Sequence, residues 1–259
     1  MRWVWRFPDY MRREHFSAVT KATLNLMVKG LRRWEVRAAT RPDYYIANSH
    51  IVADRLKAAF GVEAKVIEPP IVTSRFTVST SVEDYYLILS RLVPYKRIDL
   101  AVEACTRTGR RLVIIGGGPD RARLESLAGP TVEFLGRQPD SVVNHYASRC
   151  RALIFPGEED FGMAPLEVNA AGRPVVAYGA GGATETVIEN VNGILFRPQT
   201  TVSLIQALEK CESRNWNSAT IRRRAQRYDI HVFQERLLDF LSQISPAIQD
   251  GLGRQKEVA

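Results

Sequence analysis

From Tyr44 onward the chain alternates short runs of β-branched or aromatic apolar residues with stretches of helical periodicity. That alternation restricts the fold more than any other feature, because it is the signature of βα repeats wound around a parallel sheet. Strands are predicted at 44–47 (YYIA), 65–68, 85–90 (YYLILS), 111–115 (RLVII), 131–135 (TVEFL), 152–155 (ALIF), 174–177 (PVVA) and 193–196. Helices are predicted over 14–38, 49–60, 96–106, 119–127, 139–147, 165–171, 184–189, 201–212 and 229–243. The fold class that follows is α/β, with about six strands in a doubly wound domain of a size typical of an independent unit.

Pro69-Pro70 and the polar stretch 73–83 (TSRFTVSTSVE) lack apolar periodicity and read as a linker between two βα regions. The expected organisation is therefore 1–78, the trailing part of an α/β lobe; 79–245, a complete doubly wound domain; and 246–259, a polar, flexible tail. The charge is uneven. Of 36 Lys and Arg against 28 Asp and Glu, ten cations and three acids fall in residues 1–41, so nearly all of the +8 net charge is local. Trp3, Trp5, Phe7, Phe16, Leu24, Met27, Leu31 and Trp34 interleave with those cations. Such a segment either lies peripherally on an anionic bilayer or packs its apolar side on neighbouring structure. No helix-turn-helix, zinc-finger or RNA-recognition signature accompanies it, which argues against nucleic acid as a partner. Cys105, Cys150 and Cys211 form no C-x-x-C pair, so neither a disulfide framework nor a thiolate zinc site is indicated. A cytoplasmic setting fits, and no apolar run approaches the length of a spanning helix.

Ligands of open parallel sheets gather where strands end and helices begin. After 85–90 comes Arg91-Leu92-Val93-Pro94-Tyr95-Lys96, with two cations across a loop-to-helix turn. Arg91 and Lys96 are suited to a diphosphate, one as a planar fork and the other as a point charge, or else form a solvated pair. After 111–115, Gly116-Gly117-Gly118-Pro119 permits close backbone approach, yet Arg121 stands where the dinucleotide fingerprint needs glycine. That weakens a nicotinamide-dependent oxidoreductase as an alternative. After 152–155, Glu159 lies on a loop and Glu167 is expected within the first helical turn beyond Gly162 and Pro165. Two carboxylates at a start that favours anions suggest acceptors for neutral hydroxyls, such as those of sugars, unless Glu167 simply complements the helix dipole. In Gly181-Gly182-Ala183-Thr184-Glu185, Thr184 is a candidate cap and Glu185 a candidate partner for its own helix dipole.

In this order and spacing, R-L-V-P-Y-K at 91–96, G-G-G-P at 116–119, F-L-G-R at 134–137, Glu159-x7-Glu167 around F-G, and G-G-x-x-E at 181–185 resemble a known family. It is the retaining GT-B glycosyltransferases of family 4 (glycosyl transferase group 1), specifically their donor-binding half. The resemblance runs from about Tyr44 to Leu241. Y-Y-I-A-N-S-H at 44–50, V-I-E-P-P-I-V at 66–72 and E-E-D-F-G-M-A-P-L-E at 158–167 look like the branch that handles mannose or rhamnose, often from GDP-mannose, in polysaccharide and O-antigen assembly.

The resemblance implies a GT-B fold and a nucleotide-sugar substrate, with no cofactor and no metal. Arg91 and Lys96 would bind the donor diphosphate and stabilise the leaving nucleotide. Glu159 would take hydroxyls of the transferred sugar and Glu167 the ribose. Backbone groups of Phe161, Gly162 and Met163 would line the sugar-phosphate, with Gly116 and Gly118 beside the donor. Gly136, Arg137 and Gln138 would occupy the base slot, recognising mostly through backbone. It also implies a glycan or lipid-linked acceptor and transfer with retention by same-face attack. Family members carry a full N-terminal lobe with a glycine-rich loop and a reacting-centre histidine, and His15, His50, His145 and His231 match none of those slots. The expectation is therefore a fragment or truncated homologue that binds donor but transfers poorly, an enzyme whose cleft another polypeptide completes, or a noncatalytic nucleotide-sugar-binding module.

Overall fold

A computed structural model of the chain describes residues 2–5, 7, 11 and 17–245. The predicted tail at 246–259 and the helical start at 14–16 lie outside the described residues. The large sheet holds β3 (Tyr86–Leu89), β4 (Leu112–Ile115), β5 (Val132–Gly136), β6 (Ala152–Phe155), β7 (Val175–Tyr178) and β8 (Gly193–Phe196). Its order is β5-β4-β3-β6-β7-β8, and every pair is parallel.

A fully covered parallel sheet must be apolar on both faces, and these strands divide their side chains by alternation. Tyr86, Ile88, Leu112, Ile114, Ala152, Ile154, Val176, Ile194 and Phe196 enter one core. They meet α4 (Ile98–Thr108), α5 (Arg121–Leu127) and α9 (Thr201–Glu212) there through residues such as Val102, Leu124 and Leu208. Leu87, Val113, Ile115, Leu153, Phe155, Val175 and Ala177 face the other. That side is closed by α6 (Asp140–Arg149), α7 (Met163–Ala170) and α10 (Ser218–Ala225), through Ala147, Leu166 and Ala225. The helix at 218–225 was not expected from the sequence. It offers only Ile221 and Ala225 as buried apolar residues, too few for a periodic signal. Instead it is held by the Asn217 cap and by packing on α7.

Before the large sheet come α1 (Arg2–Trp5), α2 (Ala18–Ala38), β1 (Ile46–Ala47), α3 (His50–Phe60) and β2 (Lys65–Val66). β1 and β2 pair in parallel as a separate two-stranded sheet. Val28 of α2 packs with Val4 and Phe7, and the Trp5 indole donates to the Glu35 carboxylate at 2.5 Å. Val19, Leu26, Met27 and Trp34 of α2 are exposed.

The stretch read as a linker is partly structural. Ile71 and Phe76 are buried in the second core. The Ile71 N–H donates to Tyr228 O at 2.8 Å, and Ile230 N–H donates to Ile71 O at 3.0 Å, at the start of α11 (Ile230–Ile244). Arg222 spans from Ala170 O (2.5 Å) to Phe76 O (2.7 Å), and Thr73 bonds the Asp229 carboxylate. Sequence distances near 150 residues separate Thr73 and Phe76 from Asp229 and Arg222, which is why composition alone suggests free chain.

Cys105, Cys150 and Cys211 are free and buried, and burial pushes each thiol up to about 12. Among the described residues no helix is long and apolar enough to cross a membrane.

Two buried amides join α7 to the turn before β8. Asn192 Nδ2 donates to Asn169 Oδ1 (2.8 Å) and Thr186 O (2.9 Å), while Asn192 Oδ1 accepts from Ile188 N–H at 2.6 Å. Asn192→Ala leaves several buried polar groups without partners, and urea unfolding is expected to show a loss of about 2–3 kcal/mol.

Candidate functional site

The sheet order reverses at β3, whose two neighbours, β4 and β6, are reached by crossovers in opposite directions. The helices that follow β3 and β6 pack on opposite faces of the sheet, and the crevice beyond the carboxyl ends of these strands is the expected ligand position in an open parallel sheet.

On one wall three loops run side by side. Ser90 N–H donates to Ile115 O (3.1 Å), Leu92 N–H to Gly117 O (3.1 Å), and Gly116 N–H to Gly136 O (2.7 Å). A Cβ on Gly116 would lie 1.9 Å from Ser90 O, and one on Gly118 would lie 2.1 Å from Leu92 O. Gly116 also has φ 139°, so glycine is required there for contact and for conformation. The run is thus more than a tight turn, since it lets the exits of β3 and β4 touch. The Gln138 amide donates to Leu135 O at 2.6 Å, and Arg137 lies exposed beside Gly117. Arg91, Gly116, Gly118, Gly136, Arg137 and Gln138 are therefore brought to one wall. Arg91 is exposed on the loop that leads, through a single 3-10 turn at Pro94–Lys96, to Lys96.

The other wall is the loop after β6. A Cβ on Gly157 would fall 2.7 Å from Lys96 O, so the two loops meet backbone to backbone. Directly beyond, Lys96 Nζ and Glu159 Oε1 form an ion pair at 2.5 Å, with the side chains 19% and 16% exposed. Glu159 O accepts from Gly182 N–H at 2.8 Å, which ties this loop to the exit of β7. Phe161 is buried edge-on against Tyr228, Gly162 takes φ 90° to turn the chain into α7, and Met163, the first residue of α7, is exposed.

Glu167 departs from the expectation. α7 begins at Met163, two residues earlier than predicted, so Glu167 lies past the first turn and beyond its free N–H groups. No side-chain hydrogen bond to it is found among the described residues. Burial raises its pKa; Arg75 opposes that shift and Asp140 adds to it. Arg75 and Asp140 are themselves paired at 2.7 Å, with Asp140 at the start of α6 just after the 136–138 loop. A partly buried carboxylate with unfilled acceptor capacity, on the side of the crevice where β5 ends, can receive hydroxyl donors.

Glu185 also differs from its predicted role. α8 (Ala183–Thr186) is one short turn whose cap position is Gly182, not Thr184. The Glu185 carboxylate turns away from its own helix and caps another, accepting His50 N–H at 2.9 Å and Ile51 N–H at 3.0 Å at the start of α3. Ser49 donates to Asp160 O at 2.7 Å, while Arg55 pairs with Asp160 (2.6 Å) and Glu158 (2.9 Å). The residues on both sides of Glu159 are thus held by a helix more than a hundred positions upstream. Sequence reasoning missed Ser49, Arg55, Glu158, Asp160, Arg75 and Asp140. The only local signal was Ser49 as a helix cap, which it also is, through Val52 N–H. Among the described residues no group of three or more His, Cys, Asp and Glu is placed to hold a metal ion.

The pH dependence of Glu167 has a definite sign. Native Glu167 holds its proton more tightly than the unfolded chain does, so this group favours the fold at acid pH. That contribution is lost as pH rises from the ordinary carboxylate value through the raised native one. Melting curves between pH 4 and 7 should therefore show Glu167→Gln gaining on the parent as pH increases and melting higher at pH 7. A constant offset across the range would contradict burial as the cause.

Comparison with known proteins agrees with this architecture. Residues 73–228, more than half of the chain, match the family model described as glycosyl transferases group 1. The chain is 38% identical over 109 residues to a GDP-mannose-dependent alpha-mannosyltransferase of Mycobacterium tuberculosis, covering 41% of this chain and 28% of that one. It is 33% identical over 179 residues to a GDP-mannose-dependent alpha-(1-6)-phosphatidylinositol monomannoside mannosyltransferase of the same organism, covering 57% and 46%. The matches thus span less than half the length of these relatives. The Anabaena protein HepE, solved in complex with UDP and glucose, superposes with a TM-score of 0.72 at 25% identity, over 82% of this chain and 66% of that one. With the doubly wound sheet, the ordered loops around its crevice and the family match in agreement, this chain belongs to the group 1 glycosyl transferases.

Proposed function

We propose that the chain binds a nucleotide-sugar in the β3/β6 crevice and serves a glycosyltransferase that moves a hexose to a glycan or lipid-linked acceptor. GDP-mannose is the donor favoured by the names of two similar proteins, and polysaccharide or O-antigen assembly is the setting. The observation that carries this reading is the Lys96–Glu159 pair. A donor exchanges it for two complementary contacts: Lys96 goes to the diphosphate and Glu159 to the sugar hydroxyls. Arg91, exposed on the same loop, adds a second cation. Together they offset the charge that develops on the departing nucleotide, which is electrostatic catalysis without a metal. Glu167 accepts the ribose diol. Gly136, Arg137 and Gln138 meet the base largely through backbone, Gly116 and Gly118 admit the donor close to the chain, and the backbone of Phe161, Gly162 and Met163 follows the sugar-phosphate.

The acceptor oxygen bonds to the anomeric carbon on the face from which the diphosphate leaves, so configuration is retained. Glu159 acts by orientation and not as a nucleophile, its near neighbour being a cation instead of a second carboxylate. The proposed division of the chain falls between 78 and 79, with residues 1–78 on the acceptor side and tied to the donor domain through Ile71, Phe76 and Glu185. On α2, Leu26 (74% exposed) and Trp34 (55%) flank Lys29, Arg33 and Arg37, which suits peripheral contact with an anionic inner membrane surface from the cytoplasm. A second reading, a donor-binding module that transfers only when a partner lobe completes the crevice, is favoured by the two-stranded β1–β2 sheet, where Ile46 is exposed.

A thermal-shift panel of GDP-, UDP-, ADP- and dTDP-sugars identifies the donor, because a tight ligand raises the melting point by mass action. With that donor, calorimetry should show Lys96→Ala weakening binding of the nucleotide and the nucleotide-sugar alike, by about 1.5–3 kcal/mol, the worth of a charged hydrogen bond. Glu159→Ala should spare the bare nucleotide, and Glu167→Ala should weaken the nucleoside too. Unchanged affinity in Lys96→Ala would move the site elsewhere. Radiolabelled sugar transfer to a membrane extract separates the two readings: turnover by the chain alone removes the module, and tight donor binding without turnover removes the self-sufficient enzyme.

A further inference from the structure

At the opposite edge of the large sheet, beneath the amino ends of β3, β6 and β7, lies a cavity of about 280 Å3. Its border carries both signs of charge, and pairing them off leaves a remainder. Asp84 pairs with Arg151 at 2.7 Å, and Glu83 lies 3.6 Å from Arg149. Glu212 is gripped by both arms of Arg110, each at 2.8 Å, and accepts the Tyr86 hydroxyl at 2.7 Å. All three carboxylates are thereby engaged. Two guanidinium groups on the same cavity, Arg173 and Arg214, have no carboxylate partner among the described residues.

Arg173 is the more telling of the two, being only 7% exposed. Its Nε donates to Cys150 O at 2.6 Å and one terminal nitrogen to Arg151 O at 3.2 Å. The ionisable groups that act on it are the Cys150 and Cys211 thiols and the Tyr85 phenol. Burial raises all three, so they are neutral at physiological pH, and burial lowers Arg173 itself. A buried cation offset only by carbonyl dipoles is costly, and an anion beside it would recover part of that cost. Arg214, exposed at the rim, reaches Asn190 O only at 3.5 Å and rests over the Trp216 ring at 5.7 Å.

We propose that this cavity is a second anion site, distinct from the crevice, which binds a phosphate group between Arg173 and Arg214. The terminal nitrogen of Arg173 that bonds no carbonyl and the exposed Arg214 fork together offer donors to several oxygens of a tetrahedral dianion, whereas a lone carboxylate fills a single fork. The volume lies below the usual range for drug-sized ligands, so the occupant is inorganic phosphate or a small monoester rather than a nucleotide-sugar.

The test uses the full chain titrated with inorganic phosphate and with phenyl phosphate at constant ionic strength. Binding is read by calorimetry and by the Trp216 indole N–H resonance, assigned by its loss in Trp216→Phe. Arg214→Ala is the deciding variant because Arg214 is exposed, whereas Arg173 also supports two backbone carbonyls. Lys96→Ala controls for phosphate in the crevice. The site is supported when Lys96→Ala retains the resonance shift and Arg214→Ala weakens the associated affinity by about tenfold or more. Tighter binding of the ester then marks a monoester as occupant, and equal binding marks free phosphate. The proposal is overturned if the response survives Arg214→Ala, vanishes in Lys96→Ala, or is missing from the parent at about 10 mM phosphate, beyond which binding is too weak to be specific.

Discussion

Six strands running in one direction deliver all six exit loops to one edge of the sheet, and the crevice depends on that constraint. Parallel pairing requires a crossover after each strand, so glycines at the exits serve the helices' return and the contact between loops together. Gly116 and Gly118 set the spacing on the β4 side, where a single methyl group would collide with backbone oxygen of the β3 loop. Gly157 does the same between the β3 and β6 loops. The cation and the carboxylate at the centre of the proposed site meet because those backbones do.

The two carboxylates of the site have different surroundings. Glu159 faces an ammonium group at 2.5 Å, whereas Glu167 is desolvated and feels Arg75 only as an opposing influence on a raised pKa. Pairing with Lys96 holds the Glu159 carboxylate in one orientation. Glu167, without such a partner among the described residues, has its pKa raised by burial. Different surroundings for like side chains eight positions apart are how one short loop-and-helix segment can present two kinds of acceptor.

Much of this was legible in the sequence. Short apolar runs such as LVII at 112–115 and ALIF at 152–155 are buried on both faces, and a run of that kind has few other uses. The exits carrying Arg91, Gly116, Gly136 and Glu159 followed from the strands. Where local pattern misled, a distant partner was responsible. Glu185 has the spacing of a dipole partner for its own helix but bonds residues 134 and 135 positions away. Thr73 and Phe76 look like loop residues because Asp229 and Arg222, which hold them, lie beyond any window of periodicity. The start of α7 shifted because Gly162 adopts φ 90° and ends the loop early, a backbone choice that Gly162 permits but does not announce.

The cap that Glu185 places on α3 bears on how such a molecule can flex. Opening a gap between α3 and the loop carrying Glu159 would strip a carboxylate from two helix N–H groups, break the Ser49 bond and part Arg55 from two acids. Ile71 and Phe76 are anchored as well, so the chain from 49 to 76 is riveted at both ends to the large sheet. Any swivelling against further structure would then pivot upstream of residue 49, and β1 and α3 would ride with the donor side.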